Sequence, residues 1–331
     1  MEMRDFFKRG VIKILSFFYQ RYKTWFWFVL FLAFGSGAVS KSFHSSLWEV
    51  LLNASLGLIC LGVFIVFLFR ENSIASPTTN KNGRLVVTFT ILGVIGGATI
   101  LPYLIGTVGT QLTEQFNLPL YGIVIITILN VAFMSFIAST IGLILAEKVQ
   151  LGVPILRRLL YSGRLSEVSK QWIIIAILGS FIGTFVIVML ETYIFQPHMP
   201  QLTATPTLAW WKGLLTIFYG GIVEEVFLRL CLMTVLVWGM VKITKTQASI
   251  PAAIYWIAII MSTVLFGLAH LPATASLFGE LTPIIIIRAI INNGVLGILF
   301  GYLYWKKGLE YAILSHMSAD FFLHVIWASL V

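Results

Sequence analysis

Long apolar stretches separated by short polar loops dominate this chain of 331 residues. A helix needs roughly 20 apolar residues to cross a bilayer, so the pattern predicts about nine spans, numbered here one to nine in chain order. Their approximate ranges are 25–39, 47–69, 85–109, 118–146, 172–195, 210–241, 250–271, 283–304 and 309–331. The first span is short, and the count falls to eight if it only lies in the interface. The pattern therefore predicts an all-α fold, a polytopic transmembrane helical bundle.

The placement of charge supports this fold and indicates an orientation. Residues are 59% hydrophobic and 11% charged, against about 25% charged in soluble domains. The net charge is +9, but the charges mark loops between spans, so nucleic acid is not the predicted partner. Lys and Arg fill the N-terminal segment and the loops after spans two, four, six and eight, whereas the loops 110–117, 196–209 and 272–282 contain none. This alternation predicts a cytoplasmic N-terminus and an outer C-terminus, in the plasma membrane if the host is bacterial.

Three regions follow from this organisation. Residues 1–24 form a cytoplasmic, basic, amphipathic N-terminus, residues 25–204 a transmembrane region with no assigned role, and residues 205–331 a region rich in polar side chains. The longest cytoplasmic loop, 147–170, is expected to hold a short surface helix. Cys60 and Cys231 both lie inside apolar spans, which does not fit a disulfide framework.

Four charged side chains lie well inside spans six and nine, away from the span ends. Glu224, Glu225 and Arg229 belong to span six, and Asp320 belongs to span nine. Each such charge costs about 2.5–3.5 kcal/mol at the bilayer centre unless it pairs or faces a wet cavity. Glu225 and Arg229 are four residues apart, so they are expected to form an ion pair. Glu224 is rotated by about 100° on an α-helix and is expected to point elsewhere in the bundle.

Histidines accompany these charges on neighbouring spans. His270 ends span seven, and His316, Asp320 and His324 recur every four residues along one stripe of span nine. Asp320 can orient one of these imidazoles. Glu49 and Glu191, by contrast, lie near span ends, where a carboxylate reaches the interface.

Span eight adds two amides and a series of glycines. Asn292 and Asn293 either line a cavity or satisfy polar groups on neighbouring helices, with Arg288 on the same polar face. Close helix packing is expected at two sets of glycines, which are Gly93, Gly96 and Gly97 in span three and Gly294, Gly297 and Gly301 in span eight.

These residue types suit the attack of water on a carbonyl group, which needs a base, a site for the oxyanion and a proton donor. Glu224 can be the base, His270 can share the same water, and His316 with residue 320 can face the oxyanion. The chain contains neither G-x-S-x-G nor H-E-x-x-H. No cofactor is predicted, but three alternatives remain open. The His and Asp residues of span nine have ligand-like spacing for Zn²⁺, and the buried charges also fit a transporter's proton relay or a packing network.

Three motifs carry a resemblance to a known family. They are Glu-Glu-x-x-x-Arg at 224–229, Phe-x-x-x-His at 266–270 and His-x-x-x-Asx at 316–320. In this order they resemble the CAAX protease and bacteriocin-processing (CPBP) family of intramembrane endopeptidases, which are related to the type II CAAX prenyl endopeptidase. The likeness covers about residues 205–331 and implies a protease core there that acts on a membrane-associated peptide or protein.

The resemblance also implies roles for individual residues. Glu224 would be the base, His270 its partner, and His316 and Asp320 the oxyanion site; the supporting residues are Glu225, Arg229, Asn292, Asn293 and His324. The sequence departs from the family at Leu230, where a Gly is common, and at Asp320, where the eukaryotic CAAX enzymes carry Asn. An ionised Asp320 would repel an oxyanion, so this residue must be protonated, orient a histidine or bind something else.

Overall fold

Helices make up the fold throughout residues 82–163, 168–199, 209–278 and 280–330, which are the residues that the computed structural model describes. The N-terminal segment 1–24 and predicted spans one and two, with Glu49 and Cys60, lie outside these residues. Apart from Glu114–Asn117, the described residues belong to one compact unit. No strand occurs in the described part of the chain, and the predicted all-α membrane bundle is confirmed there.

The α-helices alternate with short π and 3-10 turns. In chain order the α-helices are α1 (Gly83–Thr99), α2 (Leu101–Phe116), α3 (Leu120–Ala146), α4 (Pro154–Ser162), α5 (Lys170–Leu190), α6 (Trp210–Phe218), α7 (Thr234–Thr244), α8 (Ala252–Ala269), α9 (Leu271–Phe278), α10 (Pro283–Lys307) and α11 (Leu309–Phe321). The main core lies where α1, α3, α8, α10 and α11 meet the π turns between α6 and α7. Leu143, Leu230 and Ile259 are fully buried in it.

Several continuous helical runs are long and apolar enough to cross a membrane. Among the described residues they are Leu120–Val149, Lys170–His198, Trp210–Thr244, Ala252–Ala275 and Pro283–Lys307. Predicted span nine is helical from Leu309 to Ser329 but is not among these runs. Because spans one and two lie outside the described residues, the total of nine stays a prediction, as does the orientation.

Span three differs from the straight helix that its apolar pattern predicted. The α1–α2 pair bends by 55° at Ile100 and gives a sixth span if it is counted as one. Pro102 stands in the first turn of α2. Proline lacks an N–H donor and its ring crowds the preceding turn, so a helix breaks or kinks there. The second helix of the pair continues beyond the predicted end at residue 109 and reaches Phe116.

Glycines bring the helices into close contact at most of the predicted positions. A Cβ on Gly93 would overlap Ser135 of α3, and one on Gly297 would lie 2.7 Å from Thr263 Cγ2 of α8. Gly96, Gly97 and Gly301 are similarly crowded by neighbouring helices, whereas Gly294 has open space around it. The predicted packing is therefore confirmed except at Gly294.

The loop 147–170 contains the predicted surface helix, α4, which is bound to α11 by a hydrogen bond. Glu310, in the first turn of α11, accepts a hydrogen bond from Leu156 N at 2.8 Å. Arg84 of α1 donates to the Leu160 carbonyl at 3.0 Å. An acidic side chain at a helix N-terminus satisfies free N–H groups and favours the helix dipole. The loop is thus held to helices at both ends of the described chain.

Span six departs most from a regular α-helix. Two π turns, Tyr219–Glu224 and Val226–Met233, separate α6 from α7. Thr234 Oγ1 donates to the Arg229 carbonyl five residues earlier, at 3.1 Å, and satisfies an acceptor in the widened turn. Such π turns are rare and occur often at functional sites. The rotation of 100° per residue assumed for Glu224 and Glu225 therefore does not hold here, and the two side chains must be placed from the structure.

Candidate active site

Glu225 lies at the centre of a buried polar cluster. Its side chain is fully buried, and Oε1 accepts from Arg229 Nη1 at 2.9 Å and from His316 Nδ1 at 2.8 Å. The ion pair predicted between Glu225 and Arg229 is confirmed. The bond to His316 links spans six and nine and was not predicted. These hydrogen bonds offset part of the cost of burying the ion pair.

Arg229 holds Glu225 in place from the same span. Its side chain is buried, and Nη2 donates to the Gly297 carbonyl of α10 at 3.0 Å. The guanidinium carbon lies 5.3 Å from the ring centre of Phe300 and 5.9 Å from that of Phe266. Aromatic faces attract cations at these distances. Arg229 thereby joins spans six, seven and eight around one carboxylate.

His316 presents one ring nitrogen to the remaining carboxylates. Its ring stacks on Phe300, with centroids 4.5 Å apart and planes 18° apart. Because Nδ1 donates to Glu225, Nε2 is the ring nitrogen that can interact with a substrate or a water molecule. Nε2 lies 3.7 Å from Glu224 Oε2 and 3.7 Å from Asp320 Oδ1. These separations are too long for direct hydrogen bonds and suit an oxygen atom held between the groups.

Glu224 and Glu225 occupy different environments although they are adjacent. The Glu224 side chain is 21% exposed, whereas that of Glu225 is 0% exposed. Among the described residues, Glu224 accepts no direct hydrogen bond, and its Oε2 lies 3.7 Å from His316 Nε2. The geometry agrees with the division inferred from the sequence, in which one carboxylate is paired and the other is open.

His270 lies apart from this cluster but close to its edge. Nδ1 donates to the Phe266 carbonyl at 2.9 Å, and the two rings meet edge to face at 4.4 Å. No hydrogen bond or ion pair within the described chain joins His270 to Glu224. The Phe266 ring faces Arg229, so one aromatic ring separates His270 from the Glu225–Arg229 pair. The helical run continues to Ala275, so His270 is not the end of its span.

Comparison with known proteins bears on the segment that holds this cluster. Residues 206–322 match the family described as Type II CAAX prenyl endopeptidase Rce1-like. This region is similar to that family and is called here the Rce1-like region. The resemblance to CPBP intramembrane proteases is therefore confirmed, and with the apolar helices it makes the chain an integral membrane protein and supports membrane peptidase activity. No curated protein and no solved structure matches the chain.

Asp320 stands on the Nε2 side of His316 in the Rce1-like region. It is buried, and Oδ2 lies against the backbone of Gly220. Its position fits the expectation that it faces an imidazole, although the imidazole is bonded to Glu225 instead. Sequence spacing could not reveal this choice, since Asp320 and Glu225 both lie within reach of His316 and only the packing of the spans decides between them.

The supporting residues of the Rce1-like region do not all join the cluster. Asn292 Nδ2 donates to Glu191 Oε2 at 3.0 Å, which confirms contact with a neighbouring helix. Asn293 Nδ2 donates to the Ala289 carbonyl of its own helix at 2.8 Å. His324 packs its ring against Tyr103, with centroids 6.1 Å apart.

Glu191 forms an ion pair that its expected place near the interface did not predict. Both of its carboxylate oxygens accept from Arg288 Nε, at 2.9 and 2.8 Å, and the pair connects the end of α5 with α10. The signal that could have found this pair is Arg288 itself, a cation in an apolar span that requires a counter-charge.

Replacement of Arg288 by Ala is expected to lower the free energy of unfolding by about 1 kcal/mol and to leave the cluster around Glu225 intact. The side chains of Arg288 and Glu191 are 25% and 33% exposed, and part-exposed ion pairs contribute little more than this. Chemical unfolding in detergent micelles measures the effect, with the exposed Arg158→Ala variant as the matched control. Equal stability of the two variants would contradict the pairing.

The described residues contain no group of three or more His, Cys, Asp and Glu side chains arranged to hold a metal ion. The possible Zn²⁺ ligands of span nine, His316, Asp320 and His324, thus do not form such a group, because His324 turns to Tyr103. Structural zinc sites use four ligands and catalytic ones three. Of the three carboxyl groups around His316, that of Glu225 is hydrogen-bonded to it, and those of Glu224 and Asp320 lie 3.7 Å away.

Proposed function

We propose that this protein is an intramembrane endopeptidase of the glutamic type, which hydrolyses a peptide bond of a membrane-associated protein or peptide with water activated by Glu224. The observation that carries the proposal is the unequal pair of carboxylates. Glu225 is buried and bound by Arg229 and His316, whereas Glu224 is partly exposed beside His316 Nε2. A general base needs an oxygen that can accept a proton from water, and Glu224 has one.

Glu224 begins the reaction in this proposal. One carboxylate oxygen accepts a proton from water while the water oxygen bonds to the substrate's carbonyl carbon. His270 assists by accepting a hydrogen bond from the same water through Nε2, since its Nδ1 is held by the Phe266 carbonyl. Protonated Glu224 then delivers the proton to the amine nitrogen as the C–N bond breaks.

His316 stabilises the oxyanion in this proposal. With Nδ1 bonded to Glu225, Nε2 must carry a proton to donate to an oxyanion, so the ring must be an imidazolium. Carboxylates at 2.8 Å (Glu225) and at 3.7 Å (Glu224 and Asp320) favour that positive charge. Asp320 therefore acts through His316 and need not donate to the oxyanion, which accounts for an Asp where the eukaryotic enzymes carry Asn.

Cleavage of a membrane-tethered peptide by the purified protein in liposomes tests the proposal. We expect cleavage that survives removal of metal by a chelator, because Glu224 and His316 need no metal ion in this mechanism. Parallel reactions with a farnesylated and an unmodified peptide decide whether a prenyl group is required.

Two results would favour a different function. Loss of activity on chelation, with recovery on adding Zn²⁺, would favour the metalloprotease alternative. Proton-coupled flux without cleavage of any tethered peptide would favour a transporter that uses the buried charges as a relay.

A further inference from the structure

A glycine faces the reactive side of the cluster. Gly220 lies in the first π turn of span six, four residues before Glu224. A Cβ at this position would overlap Asp320 Oδ2 and lie 3.1 Å from His316 Nε2. A Cβ less than 3.0 Å from another heavy atom forces one of the two groups to shift, and a Cβ at 3.1 Å is tighter than ordinary van der Waals contact. The backbone of span six therefore contacts span nine at the level of the candidate catalytic groups.

A side chain added at Gly220 would point toward the candidate catalytic groups. His316 Nε2 faces Gly220, Glu224 Oε2 and Asp320 Oδ1. A methyl group on Gly220 would either displace Asp320 or occupy space in front of Nε2. Glycine is used where a backbone must approach another group closely. Gly221 has a similar contact with Met317, which holds the next residue of the turn against span nine.

We infer that Gly220 is a positioning residue of the proposed active site, whose missing side chain sets the distances of Asp320 and His316 from Glu224. This inference rests on the proposed function. It explains why the first π turn contains glycines, since the turn widens there without placing a side chain between spans six and nine.

Two other glycines provide matched controls. Gly239 belongs to α7 of the same span and has nothing within 4 Å of an added Cβ. Gly93 is tightly packed against Ser135 in a contact between α1 and α3. The Gly239→Ala variant reports the general gain in helix propensity, and Gly93→Ala reports the effect of a crowded helix contact.

The kinetic test compares the three glycine variants in liposomes with the membrane-tethered peptide. We expect Gly220→Ala to lower kcat about 100-fold, as misplaced catalytic groups do, while KM stays within about twofold because remote binding contacts persist. Gly239→Ala keeps the wild-type kcat and KM. Gly93→Ala reduces the amount of folded protein but not the kcat of the folded fraction. A wild-type kcat for Gly220→Ala would overturn the inference.

A double-mutant cycle tests the geometry without relying on activity. Gly220→Ala is expected to lower the melting temperature in the wild-type background and to lower it much less in an Asp320→Ala background, where the overlapping carboxylate is gone. An equal decrease in both backgrounds would overturn the inference. If Glu224→Gln cleaves as well as wild type, the proposed function fails, and the cycle still decides whether Gly220 positions Asp320.

Discussion

Replacement of Glu224 by Gln is expected to lower cleavage of a membrane-tethered peptide by about 10³–10⁴-fold, the upper part of the range for a general base. Gln has nearly the same shape as Glu but cannot take a proton from water. Glu224 is partly exposed and makes no direct hydrogen bond within the described residues. Stability should therefore change by less than about 0.5 kcal/mol. Single-turnover cleavage in liposomes and chemical unfolding of the same preparation measure the two quantities.

Glu225→Gln is the matched control for this prediction, since it changes the adjacent residue in the same way. Its carboxylate binds Arg229 and His316 in a buried site, so removing the charge is expected to lower stability together with activity. A loss of activity without a loss of stability would then be specific to Glu224. Full cleavage by Glu224→Gln would contradict the assignment of the base.

Local spacing was sufficient to predict some of the cluster. Glu225 and Arg229 are four residues apart in one span, and their side chains meet even though the span contains π turns. The cost of an unpaired charge in the membrane identified Glu224, Arg229 and Asp320 as residues in need of an explanation. Helix existence was also predictable, since about 20 apolar residues in series have few other stable forms in lipid.

The sequence pattern could not predict which side chains of different spans would meet. The bond from His316 to Glu225 and the pairing of Glu191 with Arg288 depend on how far each helix is shifted and rotated against its neighbours. Apolar periodicity reports which segments are helical, but it does not report the π turns that set the directions of Glu224 and Glu225. The predicted meeting of His270 with Glu224 stays a prediction for the same reason.

Arg229 takes part in both kinds of contact, because it belongs to a local motif and also contacts two other spans. It binds Glu225 of its own helix and Gly297 of α10, and its guanidinium group lies over the rings of Phe266 and Phe300. The Phe266 carbonyl orients His270, and the Phe300 ring stacks on His316. The two candidate histidines do not touch, yet each contacts an aromatic residue that packs on the same guanidinium group. Arg229 is therefore expected to matter more for the fold than any other residue of the cluster.

Replacement of Arg229 by Met is expected to destabilise the protein by about 3–5 kcal/mol, the cost of leaving one member of a buried ion pair without its partner. That is a large share of the total stability of about 5–15 kcal/mol typical of proteins, so the variant should accumulate poorly and unfold early in detergent.

The double variant Glu225→Gln/Arg229→Met removes both charges and keeps an amide oxygen that can accept from His316 Nδ1. Because the cost comes from the unpaired carboxylate, the double variant should recover most of the lost stability while cleavage stays low. Arg288→Met supplies the control for loss of a part-exposed guanidinium group. A double variant no more stable than Arg229→Met alone would show that packing between Phe266 and Phe300, and not charge, makes Arg229 necessary.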